Sequence, residues 1–480
     1  MHGFSAVDTT LIISMVVIYI ALTTWLTIRL RSKNNSDFMQ GSKSLPAIIV
    51  GLMLMSEFIG AQSTVGTAQS AFEHGIAAAW SILGAAIGYP LFGLILVKRI
   101  YKTGQVTISG AISQKYGRST KNLVSLIMIY ALLLVNTGNY VSGAAAIAAV
   151  LHVSLITAAF ITAIVSTFYF GFGGMKGVAY VTIVHTAVKY FAVMAIVWVA
   201  LKMTGGFTPM LHNMPKFYWT WDGTIGVGTI GAWVIGTIGT IFCTQYIIQA
   251  ISSTKSANAA RRSTFLACIF CIPIALGIAL SGVAAKYLHP GMSSLYALPS
   301  FLKEMSPWLA AVVTTGLVAS VFVSVSTVAL AISSLVIKDF YIPYCNPTEK
   351  QQFRMSRILS LIIGFAPLLL VFFVPEILKL SFFTRALRLS ISVVAIVAFF
   401  APFYSSTRGA NCGLLGSAIL TSVWYLAGNP FGINNMYVAL AAPAIIMAID
   451  AVLPHKKAVQ PTATDSLVIS TANSASTHQK

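Results

Sequence analysis

Stretches of about 20 apolar residues, each enough to carry a helix across a hydrocarbon core about 30 Å thick, recur along most of the chain. They predict helices over residues 9–30, 46–72, 77–98, 122–151, 154–172, 180–202, 227–251, 264–287, 307–337, 356–374, 376–401, 411–427 and 433–453, thirteen in all. No alternating barrel pattern interrupts these runs. In lipid the backbone must satisfy its own hydrogen bonds, so the spans are read as α-helices. The first run is longer than a signal-peptide core and no small-residue cleavage site follows it, so it is read as a retained span. From residue 458 the chain turns small and polar, which predicts a disordered tail over 458–480.

Composition agrees with the pattern. Hydrophobic residues make up 57% of the 480 residues and charged residues 9%, with mean hydropathy +0.83. A soluble domain carries about 25% charge, so this is an integral membrane protein. The net charge of +19 could suggest nucleic acid, but its placement excludes that. Most Lys and Arg residues sit in alternate loops, such as Lys98 to Lys121, Lys255 to Arg262 and Lys338 to Arg357. The opposite loops hold Lys202, Lys216, Lys286, Lys303 and Lys379. This positive-inside bias predicts an external N-terminus and a cytoplasmic C-terminus in the cell membrane. The five cysteines fall in helices or at cytoplasmic ends, so neither a disulfide nor a Cys/His metal site is expected.

Polar groups then interrupt the apolar runs. Glu57 lies about 17 Å into its helix, at mid-bilayer, within "LMLMSEFIGAQSTVG". A carboxylate there must face protein, a partner or water. Ser56, Gly60, Gln62, Ser63 and Thr64 surround it, and two readings fit: a tight contact of small residues, or a discontinuous helix lending carbonyls to an ion. Residues 226–245, rich in Gly, have the same character five spans later. Two interrupted helices in matching positions of two five-helix halves point to an inverted-repeat transporter with its site at the midplane. Ser320, Ser324 and Thr327 share one helix face, either bonded back to their own helix or offering oxygen to a hard cation. Arg385, Arg388 and Lys189, with His185 one turn before the lysine, lie at the same depth as Glu57. Three cations against one acid suggest an anionic solute, the alternative being that Glu57 pairs with one and the others reach a wet vestibule.

Four segments resemble the sodium:solute symporter family: "GGMKGVAYVTIVH" at 173–185, "QYIIQAISSTKSANAARRS" at 245–263, "VTISGAISQKYGR" and "AFFAPFYSSTRGANCGLLG". The resemblance covers about 37–425. It implies an all-α membrane protein with the LeuT-like 5+5 inverted repeat. The expected units are an extra N-terminal helix and loop (1–45), a first repeat (46–205), a second repeat (206–403) and trailing helices (404–457). It also implies a sodium site formed by Ser56, Ile59, Ser320, Val323 and Ser324. The chain departs from the family pattern at Val323, which offers no hydroxyl, and at Thr182, His185 and Ala250.

The resulting expectation is a sodium-coupled symporter of a small organic solute, a carboxylate anion, working by alternating access. The solute-binding candidates are Glu57, Gln62, Ser63, His185, Lys189, Arg385 and Arg388. Sodium is the expected coupling ion, and the proton is the alternative because Glu57 lies beside the break. The expected partners are the solute and the bilayer, with no nucleic acid and no obligate protein partner. A polytopic membrane enzyme is the rival class, but no nucleophile, base and orienting group can be assembled from His74, His152, His185 and His212.

Overall fold

A computed structural model describes residues 6–30, 43–151, 153–170, 174–371 and 377–453, and the expected tail lies outside them. The principal helices are α1 (Ala6–Arg29), α2 (Ala47–Phe58), α3 (Ala61–His74), α4 (Trp80–Ile95), α5 (Ile108–Leu151), α6 (Leu155–Phe170), α7 (Gly174–Met203) and α8 (Val227–Cys243). They continue with α9 (Gln245–Ser252), α10 (Ala257–Leu288), α11 (Pro307–Leu335), α12 (Glu349–Phe365), α13 (Ile377–Phe400), α14 (Thr407–Leu426) and α15 (Asn435–Val452). Each predicted stretch is helical over most of its described residues. Among the described residues, nine helices are long and apolar enough to cross a membrane alone, and the bent pairs α2/α3 and α8/α9 raise the number to eleven. Helices α6 and α14 fall short of that standard; α14 carries Thr407, Arg408, Asn411 and Ser417 among its apolar residues.

Burial in this fold follows from lipid. Residues such as Trp25, Trp198 and Ile269 remain exposed on the outside of the bundle, where acyl chains make burial against protein unnecessary. The interior is built around α11, which packs on α7, α5 and α1, and around α10, which packs on α2, α3 and α4. The fifth helix of each expected repeat closes on that repeat's opening pair: α7 contacts α2, and α13 contacts α8. Small residues allow the closest approaches. A Cβ on Gly282 would lie 2.4 Å from the Ala68 carbonyl oxygen, so α10 and α3 meet backbone to backbone there.

The two breaks differ in cause. At the first, Ile59 (φ −89°, ψ 62°) and Gly60 (φ −79°, ψ −175°) leave the helical region, and the halves bend by 50°. At the second, the break is at Thr244 (φ −64°, ψ 130°), with a 48° bend. The Gly-rich run before it is continuous helix, which corrects the reading of those glycines as the interruption. Gly236 and Gly239 instead admit Met436 and Leu389 to close packing.

Candidate functional site

A helix that stops at mid-bilayer leaves the carbonyls of its last turn without intrahelical partners. At the end of α2 most of these groups find partners. Met55 O accepts from the Ile59 N–H at 2.8 Å, and Phe58 O from the Ser63 hydroxyl at 2.9 Å. Gly60 O takes the Thr64 N–H at 3.0 Å and the Thr64 hydroxyl at 2.8 Å. The Ser56 and Ile59 carbonyls receive Lys189: its Nζ donates to Ser56 O and Ser56 Oγ, both at 3.0 Å, and to Ile59 O at 2.8 Å. An ammonium group has three donors, and all three are used. The charge also sits at the negative end of α2, where a cation contributes about 0.3–1 kcal/mol when exposed and up to about 2 when partly buried.

The second break has a parallel arrangement. Arg388 on α13 donates through Nη1 to Thr244 Oγ1 at 3.2 Å, through Nη2 to Thr384 Oγ1 at 3.1 Å and through Nε to Thr384 O at 3.0 Å. Thus the fifth helix of each expected repeat directs a cation at the break in its first. Arg385, one turn earlier, donates through Nη1 to Ser81 O at 2.8 Å and to Thr237 Oγ1 at 2.7 Å. Its guanidinium carbon lies 4.6 Å from the Phe382 ring centroid and 5.0 Å from that of Phe58. Both arginines are 3% exposed. Among the described residues, no carboxylate pairs with Arg385, Arg388 or Lys189 within 4.0 Å.

These arginines line a cavity of about 20 Å³ with Glu57, Phe58, Gly60, Ser63, Asn139, Tyr246, Ser324 and Ser381. Glu57 is buried, and its Oε2 has no hydrogen-bond partner among the described residues. The volume suits about one water molecule. A larger vestibule of about 810 Å³, bordered by Gln69, Glu73, His74, Thr229, Lys379 and Asn435, lies on the face opposite the Lys/Arg-rich loops. Trp233 and Phe382 border this vestibule and stack 4.5 Å apart at 7°. Phe382 therefore touches the vestibule on one side and Arg385 on the other.

The candidate site residues are only partly brought together. Glu57, Ser63, Arg385 and Arg388 share the cavity wall with Ser324. Lys189 is drawn to the carbonyls of the break, and His185 hydrogen-bonds Tyr19 of α1, so neither borders that cavity. The Gln62 side chain lies outside the described part of the structure. On α11, the Ser324 hydroxyl bonds back to Ser320 O at 2.8 Å, and Thr327 to Val323 O at 2.8 Å. The Ser320 hydroxyl is buried with no partner among the described residues.

Sequence reasoning passed over the opposite end of α11. Asp339 is 1% exposed and accepts hydrogen bonds from Thr107, Ser109 and Ser125, while Lys121 approaches it at 3.1 Å. It ties the turn that follows α11 to the Lys-rich end of α5. An acid amid a basic loop was the available signal.

Comparison with known proteins places this geometry. The family model described as sodium:solute symporter family matches residues 38–417. The sodium/proline symporter of Haemophilus influenzae is 24% identical, covering 69% of this chain and 71% of that protein. The sodium/glucose cotransporter of Vibrio parahaemolyticus is 23% identical, over 72% and 70% of the two chains. The solved substrate-bound outward-open state of a sodium-coupled sialic acid symporter superposes with a TM-score of 0.79 at 15% identity, covering 94% of this chain and 99% of that one. A closed, ligand-bound nucleobase-cation-symport-1 family transporter gives 0.60 at 13% identity, over 88% and 96%. These likenesses show the LeuT-like 5+5 inverted repeat. The chain belongs to the sodium:solute symporter family and is a multi-pass membrane transporter, not an enzyme.

Proposed function

We propose that this protein moves a small organic carboxylate across the cell membrane by alternating access, as a cation-driven symporter. The observation that carries this reading is the pair Arg385 and Arg388, buried on one cavity wall and bonded to neutral hydroxyls and carbonyls instead of acids. Two guanidinium groups facing one carboxylate leave net positive charge at the midplane. A carboxylate solute neutralises it, and the planar fork of arginine suits that group geometrically.

The relatives lend support without deciding the solute. Proline, pantothenate and sialic acid, named in three of them, bear a carboxylate, whereas glucose and choline, named in two others, do not. Their names also support sodium as the driving ion, with the proton as the alternative. The cavity is too small for any organic solute, so entry requires separation of the Trp233 and Phe382 rings and a change in helix packing.

Uptake of labelled short carboxylates into proteoliposomes tests the proposal. Accumulation that falls by about tenfold or more in Arg385→Gln is the expected result. Transport unchanged in that variant would remove the arginine pair from solute binding.

A further inference from the structure

We infer that the Lys189 ammonium is itself the cation of the first helix break, occupying the place that the family resemblance gives to sodium, so that uptake by this protein does not require sodium. This inference rests on the transport reading above for one of its readouts only, and it parts from the sodium drive that the relatives' names support.

The argument starts from the oxygen atoms. A sodium ion at this break would take the Ser56 and Ile59 carbonyls with oxygens from α11, since hard cations accept only oxygen ligands. Both carbonyls already accept hydrogen bonds from Lys189 Nζ, at 3.0 and 2.8 Å, and the Ser56 hydroxyl accepts the third at 3.0 Å. On α11, Val323 offers no hydroxyl and its carbonyl already accepts from Thr327, so that side supplies the Ser320 and Ser324 hydroxyls, the latter donating to Ser320 O and keeping its lone pairs. A sodium ion would therefore have to displace a fully bonded ammonium and share its surroundings with a second positive charge.

Burial holds the lysine in its bonds: it is 1% exposed, and breaking them would leave an ammonium buried without partners. The titratable groups that face it are Glu57 on α2, Cys271 on α10 and His185 on α7. The quasi-equivalent break at Thr244 also faces a cation from the fifth helix, Arg388, which donates to the Thr244 hydroxyl and not to break carbonyls.

The test compares the purified protein with Lys189→Ser, a substitution that removes the ammonium and leaves the Ser56 and Ile59 oxygens. Radioactive sodium binding by scintillation proximity and melting in sodium chloride against choline chloride are measured on both. The wild type is expected to hold no displaceable sodium and to melt alike in the two salts. Lys189→Ser is expected to acquire displaceable sodium and to melt higher in sodium chloride. Saturable, displaceable sodium binding by the wild type would overturn the inference, and that arm stands whether or not the variant folds. In proteoliposomes at fixed pH and membrane potential, carboxylate uptake should be within about twofold in sodium and in choline, and a loss of about tenfold in choline would also overturn it. If no carboxylate is carried, the solute reading fails while the binding arm still decides this one.

Discussion

Lys189, Arg385 and Arg388 show how far a single charged residue can be read before its neighbours are known. Each stood out in sequence as a cation inside an apolar run, and the cost of burying such a charge made a functional role the default. What remained illegible was the partner. Lys189 meets Ser56 across 133 positions of sequence, and only tertiary packing decides that it reaches the break and not the cavity. Arg385 carries a prediction at this scale. Thr237→Val removes the hydroxyl that accepts from Arg385 Nη1 and leaves a buried charged donor short of one bond. The expected cost is about 1–3 kcal/mol of stability, read as a lower melting temperature, with solute affinity also reduced. A variant melting like the wild type would show that the arginine readily finds another acceptor.

At the scale of elements, the spans were legible because lipid imposes length and apolarity directly, and the first break was legible because Glu57 and Gly60 disturb an apolar helix. The second was misplaced because glycine serves two purposes. In α8 it allows close packing, while the chain actually turns at Thr244. The hydroxyl stripe on α11 was equally ambiguous, and two of its members bond to their own helix. Gly60 gives the sharpest test at this level. A Cβ there would lie 2.0 Å from Ser324 Oγ and 2.9 Å from Ser324 Cβ, so α3 and α11 must separate to admit it. Gly60→Ala is expected to lose several degrees of melting temperature, with uptake falling in parallel. Adding Ser324→Ala removes the nearer contact and should restore part of the loss, and a purely additive double mutant would refute the stated clash.

For the whole molecule, composition and charge asymmetry were enough to place the chain in a membrane, and the motif resemblance pointed to the inverted repeat. Neither could reveal the conformation. The structure has a vestibule of about 810 Å³ on one face, a stacked Trp233–Phe382 pair bordering it and a cavity of about 20 Å³ at the midplane. The Lys-rich end is tied by Asp339 to α5. Rocking one set of helices against the other would open one end as the other closes. Trp233→Ala should weaken the vestibule-side barrier. In a background with the exposed Cys345 and Cys412 replaced by Ser, a thiol at Ser381→Cys on the cavity wall should then react about tenfold faster with a membrane-impermeant reagent applied to the vestibule face. An unchanged rate would mean that the aromatic pair is not the barrier.

The central claim is that a buried arginine pair selects the negative charge of the solute. It is tested most directly by measuring uptake of a series of short labelled carboxylates beside their uncharged amides, which match them in shape. The account predicts transport of at least one acid in preference to its amide by about a hundredfold, with that preference lost in Arg385→Gln. Equal transport of acid and amide by the unmodified protein would contradict it.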